Sequence, residues 1–251
     1  MRWKVALILT AILAGFGLFG LLISRHHGPP GLTVLRKGGK GPPTVVLLHG
    51  YASSAEHWIP FTETIPVSPH VRFLLPQASE KTLRTDAALE GRAWWSLDLA
   101  AHLRPGRGGI DLAGESPEGL QKAARQVRAL LSAEGNTTLH PFVLGGFSQG
   151  AMVACQIAFA SDEPLAALVV LSGAPINESK WCAQMGRRRG LPVFLSHGRY
   201  DPILPLDLSE RLSAEMAAAG LAVTFVPFDG GHEIPAEVVA ALGNFLAQIN
   251  P

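Results

Sequence analysis

The sequence predicts an α/β fold, with a mostly parallel central sheet covered by helices on both faces. Three observations predict it. From Thr44 onward, short apolar runs rich in β-branched residues alternate with longer segments of helical period. Several of these runs are apolar throughout, as strands buried on both sides require. Hydrophobic residues make up 47% of the chain and charged residues 16%, enough apolar surface for a core and too little charge to hold the chain unfolded. A chain of 251 residues with no internal repeat fits one domain.

The first short strand is expected near Leu32 to Arg36, inside a Gly- and Pro-rich stretch, residues 28–43, that reads as a linker ahead of a catalytic domain over 44–251. The clearest strands follow at Thr44 to Leu48, Val71 to Leu75, Phe142 to Leu144, Ala167 to Leu171, Val193 to Ser196 and Val223 to Val226. Ser116 can cap a helix with Pro117 at its first position, and Leu120, Ala124, Val127 and Leu131 then share one face. Further helices are expected at Ala151 to Ala160, Ser209 to Ala219 and Ala236 to Ile249, with Gly220 as the left-handed stop of the second.

Ahead of the domain, Val5 to Ile23 is uncharged and apolar, between Arg2 and Lys4 on one side and Arg25 on the other. At about 1.5 Å per residue, a helix of that length reaches across a bilayer's hydrocarbon core. Residues 1–27 therefore read as an uncleaved membrane anchor, with the catalytic domain outside the cytoplasm; a signal peptide cleaved to release a secreted protein is the alternative. Ala11 and Ala14 lie too early in the stretch for a comfortable cleavage site.

The net charge of +1 gives no field that would gather nucleic acid. The one basic run, Arg187-Arg188-Arg189, reads as a solvated loop. Two cysteines form no disulfide framework: Cys155 falls on a predicted apolar helix face and Cys182 beside a Trp, and a bridge between them has no support.

Chemistry concentrates at Gly146-Phe147-Ser148-Gln149-Gly150, a Gly-x-Ser-x-Gly elbow between a predicted strand and a predicted helix. The chain must reverse there within a few atoms, so the glycines make room and Ser148 projects at the strand's carboxyl end. A serine hydroxyl is a weak nucleophile until a base takes its proton, and that base needs a carboxylate to fix its tautomer. His232, after Gly230-Gly231 on the loop following the last strand, and Asp201, after the strand Val193 to Ser196, fit those roles in the order Ser, Asp, His. Asp229 is a rival acid but stands three residues from His232, and Asp207 and Asp162 are weaker rivals. The backbone N–H groups of Gln149 and Tyr51 are the expected oxyanion donors, the latter on His49-Gly50-Tyr51-Ala52-Ser53 after the strand Thr44 to Leu48. His49 reads as structural, since no second ligand accompanies it at metal spacing.

Through Leu47-Leu48-His49-Gly50-Tyr51, Gly145 to Gly150, His197-Gly198-Arg199-Tyr200-Asp201-Pro202 and Gly230-Gly231-His232-Glu233, the chain resembles the phospholipase/carboxylesterase family, which includes bacterial carboxylesterases and acyl-protein thioesterases. The resemblance implies an α/β-hydrolase fold and a compact, cofactor-free esterase acting on a small-molecule ester or thioester. Trp94-Trp95-Ser96-Leu97-Asp98 sits where that family has a Trp-Phe-Asp segment near the acyl site, so Trp94 and Trp95 either line a substrate pocket or serve packing. Tyr51-Ala52-Ser53 departs from the family's Leu-Gly-Asp, which implies a differently shaped oxyanion loop. The Gly-rich segment from His102 to Gly114 reads as a surface connection or a small lid. The same three residues would also serve an acyltransferase or a peptidase, and the fold alone would serve a non-catalytic binding protein.

Overall fold

The computed structural model describes residues 24–27, 32–82, 91–97 and 109–249. Its strands are β1 (Ser24–His27), β2 (Thr33–Gly38), β3 (Gly41–Leu48), β4 (Val71–Gln77), β5 (Glu80–Thr82), β6 (Gly91–Ala93), β7 (Phe142–Phe147), β8 (Leu165–Leu171), β9 (Pro192–Gly198) and β10 (Ala222–Phe228). Its helices are α1 (Trp58–Thr64), α2 (Glu118–Ala133), α3 (Gln149–Ala160), α4 (Glu178–Met185), α5 (Leu206–Ala218) and α6 (Ala236–Ala247).

Among the described residues, eight strands form one sheet in the order β1-β2-β4-β3-β7-β8-β9-β10, while β5 and β6 pair separately. Only β2 opposes its neighbours; the pairings from β4 across to β10 are all parallel. From β3 the chain goes outward to β4, then returns across β3 to β7 and proceeds to β10. Connections therefore leave β3 and β7 in opposite directions, which opens a crevice at the carboxyl ends of these two strands, the usual ligand position in such sheets.

The alternation of side chains splits the core in two. Val46 and Leu48 of β3 join α2, α3, α4 and α5 on one face, and Val45 and Leu47 join α1 and α6 on the other. Each fully buried side chain of this kind contributes roughly 1.5–3 kcal/mol. α3 is buried along its whole length from Gln149 to Phe159, so it is apolar on nearly every side instead of striped.

Every predicted strand is present and most run longer than the apolar run that announced them, because backbone pairing does not stop where the apolar residues do. The predicted helices are present too. α2 begins at Glu118, however, with Pro117 in the capping position and no side-chain cap, so Ser116 does not cap it. The sequence gives no warning of α1, of α4, in which only Trp181 and Met185 are buried, or of the β5–β6 pair; each is too short to show a period.

The amino-terminal expectation is corrected. Val5 to Ile23 lies outside the described residues, but Ser24–His27, expected as the flank of an anchor, is an edge strand pairing antiparallel with β2. Among the described residues no helix is long and apolar enough to cross a membrane. The membrane-anchored, extracytoplasmic placement therefore does not stand.

The basic run is corrected in part: Arg187 and Arg189 are exposed, but the run is not simply solvated. Arg188 is half-buried and donates to the carbonyls of Ala158 and Ser161 at 2.6 and 2.7 Å, while Arg187 donates to Phe159 O and pairs with Asp162 at 3.2 Å. These arginines satisfy the carbonyls left open at the end of α3, where the helix dipole favours positive charge. Cys155 and Cys182 are both free thiols, and burial followed by Glu215 pushes Cys182 up to about 11.

Candidate active site

Ser148 joins β7 to α3 with φ 55° and ψ −118°, a conformation L-residues rarely adopt and one held by its surroundings. Its N–H donates to Leu171 O at 2.9 Å on the neighbouring strand. The flanking glycines are steric necessities: a Cβ at 146 would lie 2.5 Å from the Gly150 carbonyl carbon, and one at 150 only 2.2 Å from Leu48 O. Thus the end of β3, the end of β7 and the start of α3 pack backbone to backbone.

Asp201 and His232 follow β9 and β10, so all three residues leave the carboxyl edge of the sheet. His232 Nδ1 and Asp201 Oδ2 are 2.6 Å apart, and the His232 ring packs at 4.7 Å on Phe147, the residue before Ser148. The Asp201 side chain is fully enclosed. Its Oδ1 accepts from the N–H groups of Ile203 and Leu204 at 2.9 and 3.0 Å, and its Oδ2 also faces His197 Nε2 at 3.3 Å. Burial alone would raise this carboxyl, but the hydrogen bonds from His197 and His232, the charge interaction with His232 and the Leu204 amide together hold it well below the usual carboxylate range. Asp229 is exposed and paired with Arg199 at 3.1 Å, and Asp162 is exposed beside Arg187, so neither meets the imidazole.

The loop after β3 runs beside the elbow. A Cβ at Gly50 would lie 3.5 Å from Ser148 Cβ and 3.1 Å from the Phe147 ring, so Gly50 permits this approach. Tyr51 follows, half-buried, with its hydroxyl donating to Leu97 O at 3.4 Å. Gln149 is buried, and its side chain accepts from Trp94 N at 2.9 Å and donates to Trp95 O at 2.8 Å. Trp94 and Trp95 are 3% and 2% exposed and belong to the core, so packing is their evident role. The segment from His102 lies outside the described residues as far as 108, and Ile110 and Leu112 are buried in the core.

Sequence reasoning missed His197, wholly buried behind Asp201, whose Nε2 also donates to Leu204 O at 2.8 Å. Its place in His197-Gly198, four residues ahead of the acid, was the available signal. Among the described residues no group of His, Cys, Asp and Glu is placed to hold a metal ion.

The phospholipase/carboxylesterase family model matches residues 30–250. Acyl-protein thioesterase 1 of Mycosarcoma maydis is 26% identical over 236 residues, covering 86% of this chain and 95% of its own. The crystal structure of esterase PE8 is 26% identical with a TM-score of 0.67, over 92% of this chain and 100% of that one. The Bacillus cereus carboxylesterase, at 19% identity and a TM-score of 0.65 over 88% of this chain and 96% of that one, shares the fold. Fold and family match agree, and the chain belongs to the phospholipase/carboxylesterase family of α/β-hydrolases as an esterase- or thioesterase-type hydrolase.

Proposed function

We propose that the chain hydrolyses carboxylic esters or thioesters through an acyl-enzyme on Ser148, with His232 as general base and Asp201 as its orienting carboxylate. The observation that carries this reading is the 2.6 Å contact between His232 Nδ1 and a buried, ionised Asp201, with the His232 ring packed on Phe147, the residue before a serine in a strained elbow. Ser148 Oγ attacks the carbonyl carbon while His232 Nε2 takes its proton, and the carbonyl oxygen becomes an oxyanion received by the N–H groups of Gln149 and Tyr51. Collapse of this intermediate expels the alcohol or thiol, which His232 protonates. Water then attacks the acyl-enzyme by the same path, releasing the acid and restoring Ser148. Asp201 keeps its negative charge throughout and stabilises the imidazolium.

Relatives named as thioesterases and as carboxylesterases support both leaving groups, and a panel of nitrophenyl esters and matching thioesters of increasing acyl length separates them. A fluorophosphonate is expected to label Ser148 in the native chain. Ser148→Ala is expected to lose labelling and at least about 10³-fold in kcat. Unlabelled folded protein, or an active Ser148→Ala, removes the proposal.

A further inference from the structure

The loop carrying Tyr51 is braced by buried side chains that the proposed reaction does not itself use. Ala78 N donates to His49 Nε2 at 3.1 Å. A backbone N–H can only donate, so Nε2 carries no proton and the neutral ring holds its proton on Nδ1. Nδ1 lies 2.8 Å from Gly50 O and donates to it. Burial keeps the ring neutral, lowering His49 to about 4 even though the Gly50 contact opposes this.

Gly50 C=O and Tyr51 N–H belong to one planar trans peptide and point in opposite directions, so fixing the oxygen fixes the direction of the N–H. Ser53 N adds a second, longer bond to the same oxygen at 3.3 Å. The preceding peptide is held as well, because the indole Nε1–H of Trp94 donates to His49 O at 2.8 Å while the two rings pack 5.3 Å apart. Trp94 is in turn held by the Gln149 side chain, whose own backbone N–H is the other proposed donor.

We infer that His49, locked in one tautomer by Ala78 and braced by Trp94, is a positioning residue that orients the Tyr51 amide toward the developing oxyanion. The inference rests on the Ser148 acyl-enzyme reading. It assigns catalytic consequence to two residues that touch neither substrate nor nucleophile.

Asparagine and glutamine separate this role from plain packing. His49→Asn can place a donor where Nδ1 stands, and so keeps the grip on Gly50 O while losing the Ala78 contact. His49→Gln can place an acceptor where Nε2 stands, and so keeps Ala78 while releasing Gly50. On a nitrophenyl ester, His49→Gln is expected to lose about 10²-fold in kcat with KM little changed, the cost of a misplaced oxyanion donor. His49→Asn is expected to stay within about fivefold of the native chain. A folded His49→Gln with native kcat, or the two variants falling equally, overturns the inference. Should both fail to fold, Trp94→Phe keeps an aromatic ring and loses only the indole bond: a kcat loss of about tenfold at unchanged KM is expected, and native kcat overturns the inference. Ser148→Ala run alongside distinguishes the two failures. An active Ser148→Ala defeats the acyl-enzyme reading itself, whereas an inactive one beside an unaffected His49→Gln defeats only the role given to His49.

Discussion

Asp201 holds its position through contacts from three directions: the turn amides of Ile203 and Leu204, the buried His197 and the imidazole of His232. A carboxylate so satisfied stays ionised and cannot rotate, which is what a histidine base needs from its partner. Asp201→Asn preserves shape while allowing an amide N–H to face His232 Nδ1, which favours the wrong tautomer. The expected outcome is a kcat lower by about 10³- to 10⁴-fold in a variant that still folds but melts at a somewhat lower temperature, since the stabilising charge is lost. A variant within tenfold of native kcat would count against Asp201 as the orienting acid. The sequence already offered this residue by its place after a strand, but its competitors were Asp229, Asp162 and Asp207. Of all of them, Asp201 is the one whose loop meets the loop carrying His232, with a Cβ at Gly198 only 2.1 Å from Gly231 O.

Among the elements, α3 is the one on which the site depends, since its first residues form the elbow and its far end is tied down by Arg188. The guanidinium supplies donors to Ala158 O and Ser161 O, which would otherwise be left without partners at the helix end. Arg188→Met keeps the aliphatic stem and removes those donors. It is expected to cost about 1.5–3 kcal/mol, a melting temperature lower by several degrees in a chain of this size, with kcat preserved. Unchanged thermal unfolding would reduce this contact to a surface ornament of the fold. In the sequence the three arginines look like a solvated run, because nothing local indicates that a helix some thirty residues earlier ends against them. Short elements such as α1 and α4 were hidden for a related reason: two or three buried residues define no period, and the surrounding structure rather than intrinsic propensity makes them helical.

For the whole molecule, the buried histidine and the buried carboxylate make stability depend on acid. His49 titrates near 6.5 when unfolded and about 4 when folded, so as pH falls the unfolded chain takes up its proton first. Its contribution is complete above about 6.5 and is lost progressively down to about 4, amounting to roughly 3 kcal/mol. Asp201 acts lower on the scale. Its folded value is depressed below the ordinary 3.8, so its contribution is present above that value and is lost as pH falls further. Guanidinium midpoints at pH 7.5, 6, 5 and 4 are expected to decline across the series, and His49→Asn is expected to flatten the part between 6.5 and 4; a flat native profile over that range would contradict the burial of a neutral His49. The sequence by itself determined the α/β class, the strand order along the chain, the elbow and the order Ser, Asp, His, because apolar runs, glycines beside a serine and chain order are local properties. Only the tertiary structure decided which acid meets His232, that Ser24–His27 is an edge strand, that Arg188 caps α3, that Trp94 and Trp95 pack inside, and that His49 grips the loop after β3. Each of these depends on contacts between segments far apart in the chain, and such contacts exist only once the sheet has brought its carboxyl edge together.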